Sequence, residues 1–317
     1  MTGFVGRRPK VAVLHVGGTI GMSLTNDGWV PDPAVLERFL TSTPLLAHPD
    51  VPDFEVIRHE PLLDSSNTRP ADWVDLAAAI VEYDPDFDAF VVLHGTDTMA
   101  YTASALSFLL DGLNKPVILT GAQLSLEHVM SDGRDHLVTA LVLAGQAQVP
   151  EVCILFGSVL LRGNRAQKTS NDEFMAFESG NLPPLARIGA RIKVNHGLVR
   201  PARPGPLRLR TLVREPEVVA LRIFPGMSAK VMERMLRQPT EGVVMATYGT
   251  GNFPSDDQAL LDTLAEGIAR GVVVVNISQC HRGRVEQRTY GTGTALDRIG
   301  VVSGADMTAE AALTKLY

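Results

Sequence analysis

A chain of 317 residues is long for a single hydrophobic core, so one large and one smaller domain is the expectation. Its 45% apolar and 20% charged residues form an ordinary globular mixture that excludes intrinsic disorder. The formal net charge of −6 argues against a nucleic-acid partner, which calls for clustered Lys and Arg. The longest apolar runs, such as GVVVVNI from residue 271, fall far short of the ~20 residues of a membrane-crossing helix, and MTGFVGRRPK leads into a strand-like run with no apolar signal core, so a cytoplasmic location with no membrane partner is expected.

In chain order the strand-like runs of the first half are VAVLHV at 11–16, FVVLHG at 90–95, PVILTG at 116–121 and EVCILFG at 151–157. Between them, ADWVDLAAAIVEY at 71–83, TMAYTASALSFLLDG at 98–112 and SDGRDHLVTALVLAGQAQ at 131–148 carry apolar residues at helical spacing. Such alternation predicts parallel strands joined by helices, an α/β layer domain over 1–199. RPARPGPLRLRTLVREPEV from residue 200 breaks both periodicities, so 200–216 reads as a linker. A second alternation follows over 217–317: strand-like EVVALRIFPG, GVVMATYGTGN and GVVVVNISQ, with helical SAKVMERMLRQ and SDDQALLDTLAEGIARG between them. Cys153 and Cys280 lie in apolar runs and read as separate buried thiols, with no second Cys at metal-site spacing.

Ligands of open α/β sheets gather beyond the carboxyl ends of the strands. Four such ends carry polar clusters: GGT at 17–19, HGTDTM at 94–99, TGAQ at 120–123 and LRGNRAQKTSND at 161–172. The glycines at 17, 18 and 21 fit neither the phosphate-loop nor the dinucleotide pattern, so GGT alone reads equally as a tight turn with a capping threonine. A threonine hydroxyl is a poor nucleophile near neutral pH and needs a base or proton relay. Thr96, Asp97 and Lys168 are candidates for that relay, although each alone also reads as a helix cap, a favourable helix-start charge or a solvated lysine. His15, His94, His128 and His281 lie near the candidate loops without an assigned role.

In combination these residues resemble the bacterial type I asparaginase family. The resemblance runs from about residue 10 to 317 and rests on GGTIG at 17–21, DSSN at 64–67, HGTDTM at 94–99, TGAQ at 120–123, SDGRDHL at 131–137, RGNRAQK at 162–168, NLPPL at 181–185, YGTGN at 248–252 and VNISQC followed by GADMTAEAALTKL. It implies a cofactor-free amidohydrolase. Thr19 would attack the side-chain amide carbon of asparagine to form a β-aspartyl ester, while Thr96, Asp97 and Lys168 pass a proton and orient water. Ser65, with Ser66, would hold the substrate α-carboxylate and Asp97 its ammonium group. Asn252 matches a position that reaches a neighbouring subunit's site, implying a homodimer or homotetramer.

Two departures stand out. The family's lid loop carries a tyrosine whose hydroxyl touches the nucleophile, whereas GWVP here places Trp29, which has one N–H donor and no acceptor, at that point. Trp29 reads either as an apolar lid residue or as a cover for a substrate larger than free asparagine, such as an aspartimide or asparagine within a peptide. Family members also continue beyond the position of Tyr317, an expected influence on oligomer contacts or on access for a peptide. An alternative of another class is a non-catalytic sensor of a small ligand.

Overall fold

A computed structural model describes residues 7–26, 28–203, 205–211, 214–288 and 291–317. The chain divides into two units, Met1–Thr211 and Leu212–Tyr317. Residues 1–6 of the expected first domain and 204, 212 and 213 of the expected linker lie outside the described residues.

The first unit runs β1 (Lys10–Gly17), a hairpin of β2 (Met22–Thr25) and β3 (Gly28–Pro31), α1 (Pro33–Ser42), β4 (Asp53–Leu63), α2 (Pro70–Tyr83), β5 (Ala89–Leu93), α3 (Met99–Leu109), β6 (Leu110–Asp111), β7 (Val117–Thr120), α4 (Gly133–Gln146) and β8 (Val152–Phe156). The short strands β9 (Val159–Arg162), β10 (Gln167–Lys168), β11 (Phe177–Glu178), β12 (Ala186–Arg187), β13 (Lys193–Val194) and β14 (Arg208–Leu209) follow. Eight strands form one sheet in the order β13-β12-β9-β8-β7-β5-β1-β4, parallel from β8 to β4 and antiparallel at the other end. β1, β5, β7 and β8 read as unbroken apolar runs because helices cover both faces of the sheet, and every residue of β5 and β8 is buried. Val11 and Val13 of β1 pack with Val35 and Leu36 of α1 and Leu137 and Leu141 of α4.

Within the parallel block the second strand lies outside the first, so chain direction across the sheet reverses between β1 and β5. Such a switch point opens a crevice at the carboxyl ends of its two strands. Two of the polar clusters, GGT and HGTDTM, leave the sheet there.

The second unit runs β15 (Val218–Arg222), α5 (Ala229–Leu236), β16 (Gly242–Thr247), α6 (Gln258–Ala269), β17 (Val273–Ser278), α7 (Gly291–Arg298), β18 (Val302–Ser303) and α8 (Ala309–Leu316), with four parallel strands in chain order. Side-chain caps start three of its helices: Ser228, Asp257 and Thr308 accept from the backbone N–H of Val231, Leu260 and Ala311. The architecture is the expected α/β one, a large mainly parallel sheet and a smaller parallel one.

Three features differ from or add to the reading of the sequence. Cys153 is buried, but Cys280 is exposed, because β17 ends at Ser278 and the apolar run does not carry the thiol inside. β4 was not anticipated: as the sheet's edge strand it is polar and half-exposed and contains Pro61, which edges tolerate. Arg208 and Leu209, within the expected linker, pair antiparallel with β6.

Candidate active site

Backbone geometry assembles the site before any side chain does. A register shift between His15 and Gly17 ends the regular pairing of β1 with β4, and Gly18 N–H then donates to Leu63 O at 3.2 Å. Gly17 and Gly18 take φ of 138° and 89°, a region open to glycine and strained for other residues. A Cβ on Gly18 would lie 2.3 Å from Gly95 N, and one on Gly95 would lie 2.3 Å from Ser65 Oγ. Only bare backbone lets the ends of β1, β4 and β5 meet this closely, and so brings Thr19, Ser65 and Thr96 to one crevice.

Thr19 opens a single 3-10 turn, Thr19–Gly21, that is tied on three sides. Gly21 N–H donates to Gly18 O at 3.1 Å, Leu126 N–H to Ile20 O at 3.2 Å, and Asp32 N–H to Gly21 O at 2.9 Å. Thr19 itself is half-buried, and its N–H and that of Thr96 donate to no acceptor among the described residues. Both are free to bind an oxyanion.

At the end of β5 the His94 ring has a defined tautomer. Gly95 O, at 2.7 Å, requires a proton on Nδ1, so Nε2 accepts from the Thr102 hydroxyl at 3.0 Å. Burial lowers the pKa of His94, keeping it neutral. The imidazole clamps the corner that presents Thr96 and Asp97.

Lys168, delivered by the antiparallel pair β10 and β11, reaches back across the crevice. Its Nζ donates to Thr96 Oγ1 at 2.8 Å and to Asp97 Oδ1 at 2.6 Å. Thr96 is only 7% exposed, whereas the Asp97 side chain is 63% exposed. Because Thr96 Oγ accepts from a charged Lys168, its own hydrogen is left to point at substrate or water.

The two serines separate. Ser65 is buried against Gly95, and its carbonyl accepts from the Thr98 hydroxyl at 2.8 Å, whereas the Ser66 hydroxyl is exposed and donates to Asp64 at 2.9 Å. Trp29 stands opposite Leu24 in the β2–β3 hairpin, 44% exposed. Asn252 belongs to the second unit, where it bridges in antiparallel fashion to Tyr248.

Asp132 and His136 escaped the reading of the sequence. Asp132 accepts the N–H groups of Gln123 and Leu124 at 2.9 and 3.0 Å, and His136 donates from Nδ1 to Gly121 O at 2.8 Å while Nε2 accepts Gly157 N–H at 2.8 Å. Together they hold the TGAQ loop beside His94. Their targets are backbone groups brought close only by folding, which no spacing in the sequence marks.

Comparison with known proteins agrees across the whole chain. Residues 10–200 match the model for Asparaginase, N-terminal, and 217–317 that for the Glutaminase/Asparaginase C-terminal domain. L-asparaginase 1 of Escherichia coli K12 is 44% identical over 311 residues, covering 98% of this chain and 91% of that protein. A 60 kDa lysophospholipase of Mus musculus is 40% identical, covering 98% of this chain and 58% of that protein. The crystal structure of L-asparaginase I from Vibrio cholerae superposes with a TM-score of 0.89 at 41% identity, covering 98% of this chain and 92% of that one.

Proposed function

The chain belongs to the asparaginase family of hydrolases that act on linear amides, and on that premise we propose that it hydrolyses L-asparagine to L-aspartate and ammonia with Thr19 as nucleophile. The observation that carries this reading is the Thr96–Lys168–Asp97 network, 2.8 and 2.6 Å across, in the crevice that also receives Thr19. Thr19 Oγ forms a bond to the side-chain carbonyl carbon, and its proton passes through water to the carboxylate of Asp97, the acceptor of the Lys168–Asp97 pair, while Lys168 holds Thr96 Oγ1 with its own hydrogen turned to that water. The vacant N–H groups of Thr19 and Thr96 suit the oxyanion, a contribution of about 3 kcal/mol per donor in comparable sites. The C–N bond then breaks, the amine leaves with the returned proton as ammonia, and water cleaves the β-aspartyl ester to free Thr19.

Substrate recognition follows the same geometry. Ser65 holds the α-carboxylate with Ser66 at the rim, Asp97 uses its free carboxylate edge for the α-ammonium, and Trp29 covers the crevice. Asn252 serves a neighbouring copy's site in a homodimer or homotetramer, with 1–199 and 217–317 as the two domains and 200–216 between them.

One observation supports a second reading within the same chemistry. Trp29 lacks the phenolic hydroxyl that would relay the nucleophile's proton, and an aspartimide carbonyl, more electrophilic than an amide, needs less activation. The test is ammonia release from L-asparagine beside ring opening of an aspartimide peptide, with Thr19→Ala as control. Asparagine turnover that falls at least about a thousandfold in Thr19→Ala supports the proposal. Turnover that persists there rejects Thr19, peptide turnover alone moves the substrate, and tight aspartate binding with no turnover identifies a sensor.

A further inference from the structure

His15 is the fifth position of a buried apolar run, yet no part of the chemistry above uses it. It is 1% exposed, and neither Nδ1 nor Nε2 has a hydrogen-bond partner among the described residues. A buried ring with both nitrogens unpaired is costly and rare enough to require a reason. It shares a face of β1 with Val11 and Val13, directed at the side where α1 and α4 pack.

The reason lies at Gly21. A Cβ built on Gly21 would meet Nε2 of His15 at 2.8 Å and Cε1 at 3.1 Å, and nothing else within 4 Å. Gly21 does not take a positive φ, so its backbone would accept alanine; only the imidazole forbids it. Gly21 closes the turn opened by Thr19, and its carbonyl receives Asp32 N–H at the base of the lid hairpin. The ring edge is therefore a wedge under the last residue of the nucleophile turn, while Gly18 packs on Gly95 at the first.

We propose that His15 is a positioning residue for Thr19, acting through a matched pair in which a flat neutral ring on β1 requires a bare α-carbon at Gly21. This rests on Thr19 being the nucleophile. The charged groups around the ring suit a neutral wedge: Arg58 of β4 pairs with His15 in register, and its guanidinium turns outward to Glu37 of α1, while Asp32 beyond Gly21 is held by Arg38. Among the described residues no carboxylate is bonded to the imidazole.

The test is a double-mutant cycle of His15→Ala and Gly21→Ala, with kcat and KM for L-asparagine and the melting temperature of each variant. Gly21→Ala alone is expected to lower kcat about 10- to 100-fold with KM changed less than about threefold, as a displaced nucleophile does. Adding His15→Ala should restore kcat at least about fivefold over Gly21→Ala, because the methyl then has room. His15→Phe, which keeps a flat ring, should stay folded and retain most of kcat even where His15→Ala does not fold. A Gly21→Ala enzyme as active as the parent, or a double variant no better than Gly21→Ala in both kcat and melting temperature, overturns the matched pair. If Thr19→Ala retains turnover, the nucleophile reading fails instead, and coupling of the two melting temperatures still decides whether ring and glycine are matched.

Discussion

At the scale of single residues, the site depends on where Lys168 spends its hydrogen bonds. Its ammonium spans Thr96, which is buried, and Asp97, which is exposed. A surface ion pair contributes little to stability, so in the proposed mechanism the value of this one is in directing the Thr96 proton. Lys168→Met keeps the length of the side chain and removes both bonds. It is expected to lower kcat by about 100- to 10,000-fold with KM within a few-fold and the melting temperature nearly unchanged, read by ammonia release and thermal unfolding. A loss confined to KM would assign Lys168 to binding. Thr19, Thr96, Asp97 and Lys168 could be named as candidates from residue type and motif, and the structure joins the last three by hydrogen bonds, but Ser65 and Ser66 were not separable. Which of two adjacent serines faces Gly95 is decided by a backbone turn capped by Asp64, and sequence order carries no record of it.

At the scale of elements, legibility followed burial. β1, β5, β7 and β8 were visible as apolar runs because both faces are covered, α2 and α4 because their apolar spacing survives on one side, and α3 because it is buried around most of its circumference. β4 alternates weakly at an open edge, and β10, β11, β12 and β13 are two residues long, too short for any periodicity. Yet β10 is the element that delivers Lys168. The lid hairpin was legible as a loop but not as two paired strands, since its cross-strand partners Leu24 and Trp29 are exposed and no core pattern constrains them.

At the scale of the whole molecule, the buried histidines couple stability to pH. Burial, reinforced by Arg58, lowers the pKa of His15 from 6.5 to about 4, and burial lowers that of His94 as well. His15 is neutral in the native state down to about pH 4 and binds a proton in the unfolded chain below about 6.5, and the lowered pKa of His94 acts in the same direction, so the unfolded state carries more protons and stability rises with pH across 4 to 6.5. Acidifying through that window should cost about 3 kcal/mol for His15 alone, an order-of-magnitude figure. The check is thermal unfolding from pH 7 to 4.5: the parent should lose stability steadily, and His15→Phe should lose distinctly less while keeping the His94 share. Identical slopes would mean that His15 titrates normally. Among the described residues no helix is long and apolar enough to cross a membrane.

The hairpin that follows Thr19 also makes the protein its own optical probe. Of the chain's two tryptophans, Trp73 is 8% exposed within α2, while Trp29 stands 44% exposed beside the crevice. Ultraviolet excitation therefore yields a steady blue signal from Trp73 and a solvent-quenched, red-edge signal from Trp29. Covering of the indole by the closing lid on addition of aspartate should brighten and blue-shift the emission, and Trp29→Phe should abolish the change. An unaltered spectrum at saturating aspartate would show that the indole stays in water. Trp29 thus lets movement of the hairpin be timed in a stopped-flow fluorimeter, without a label.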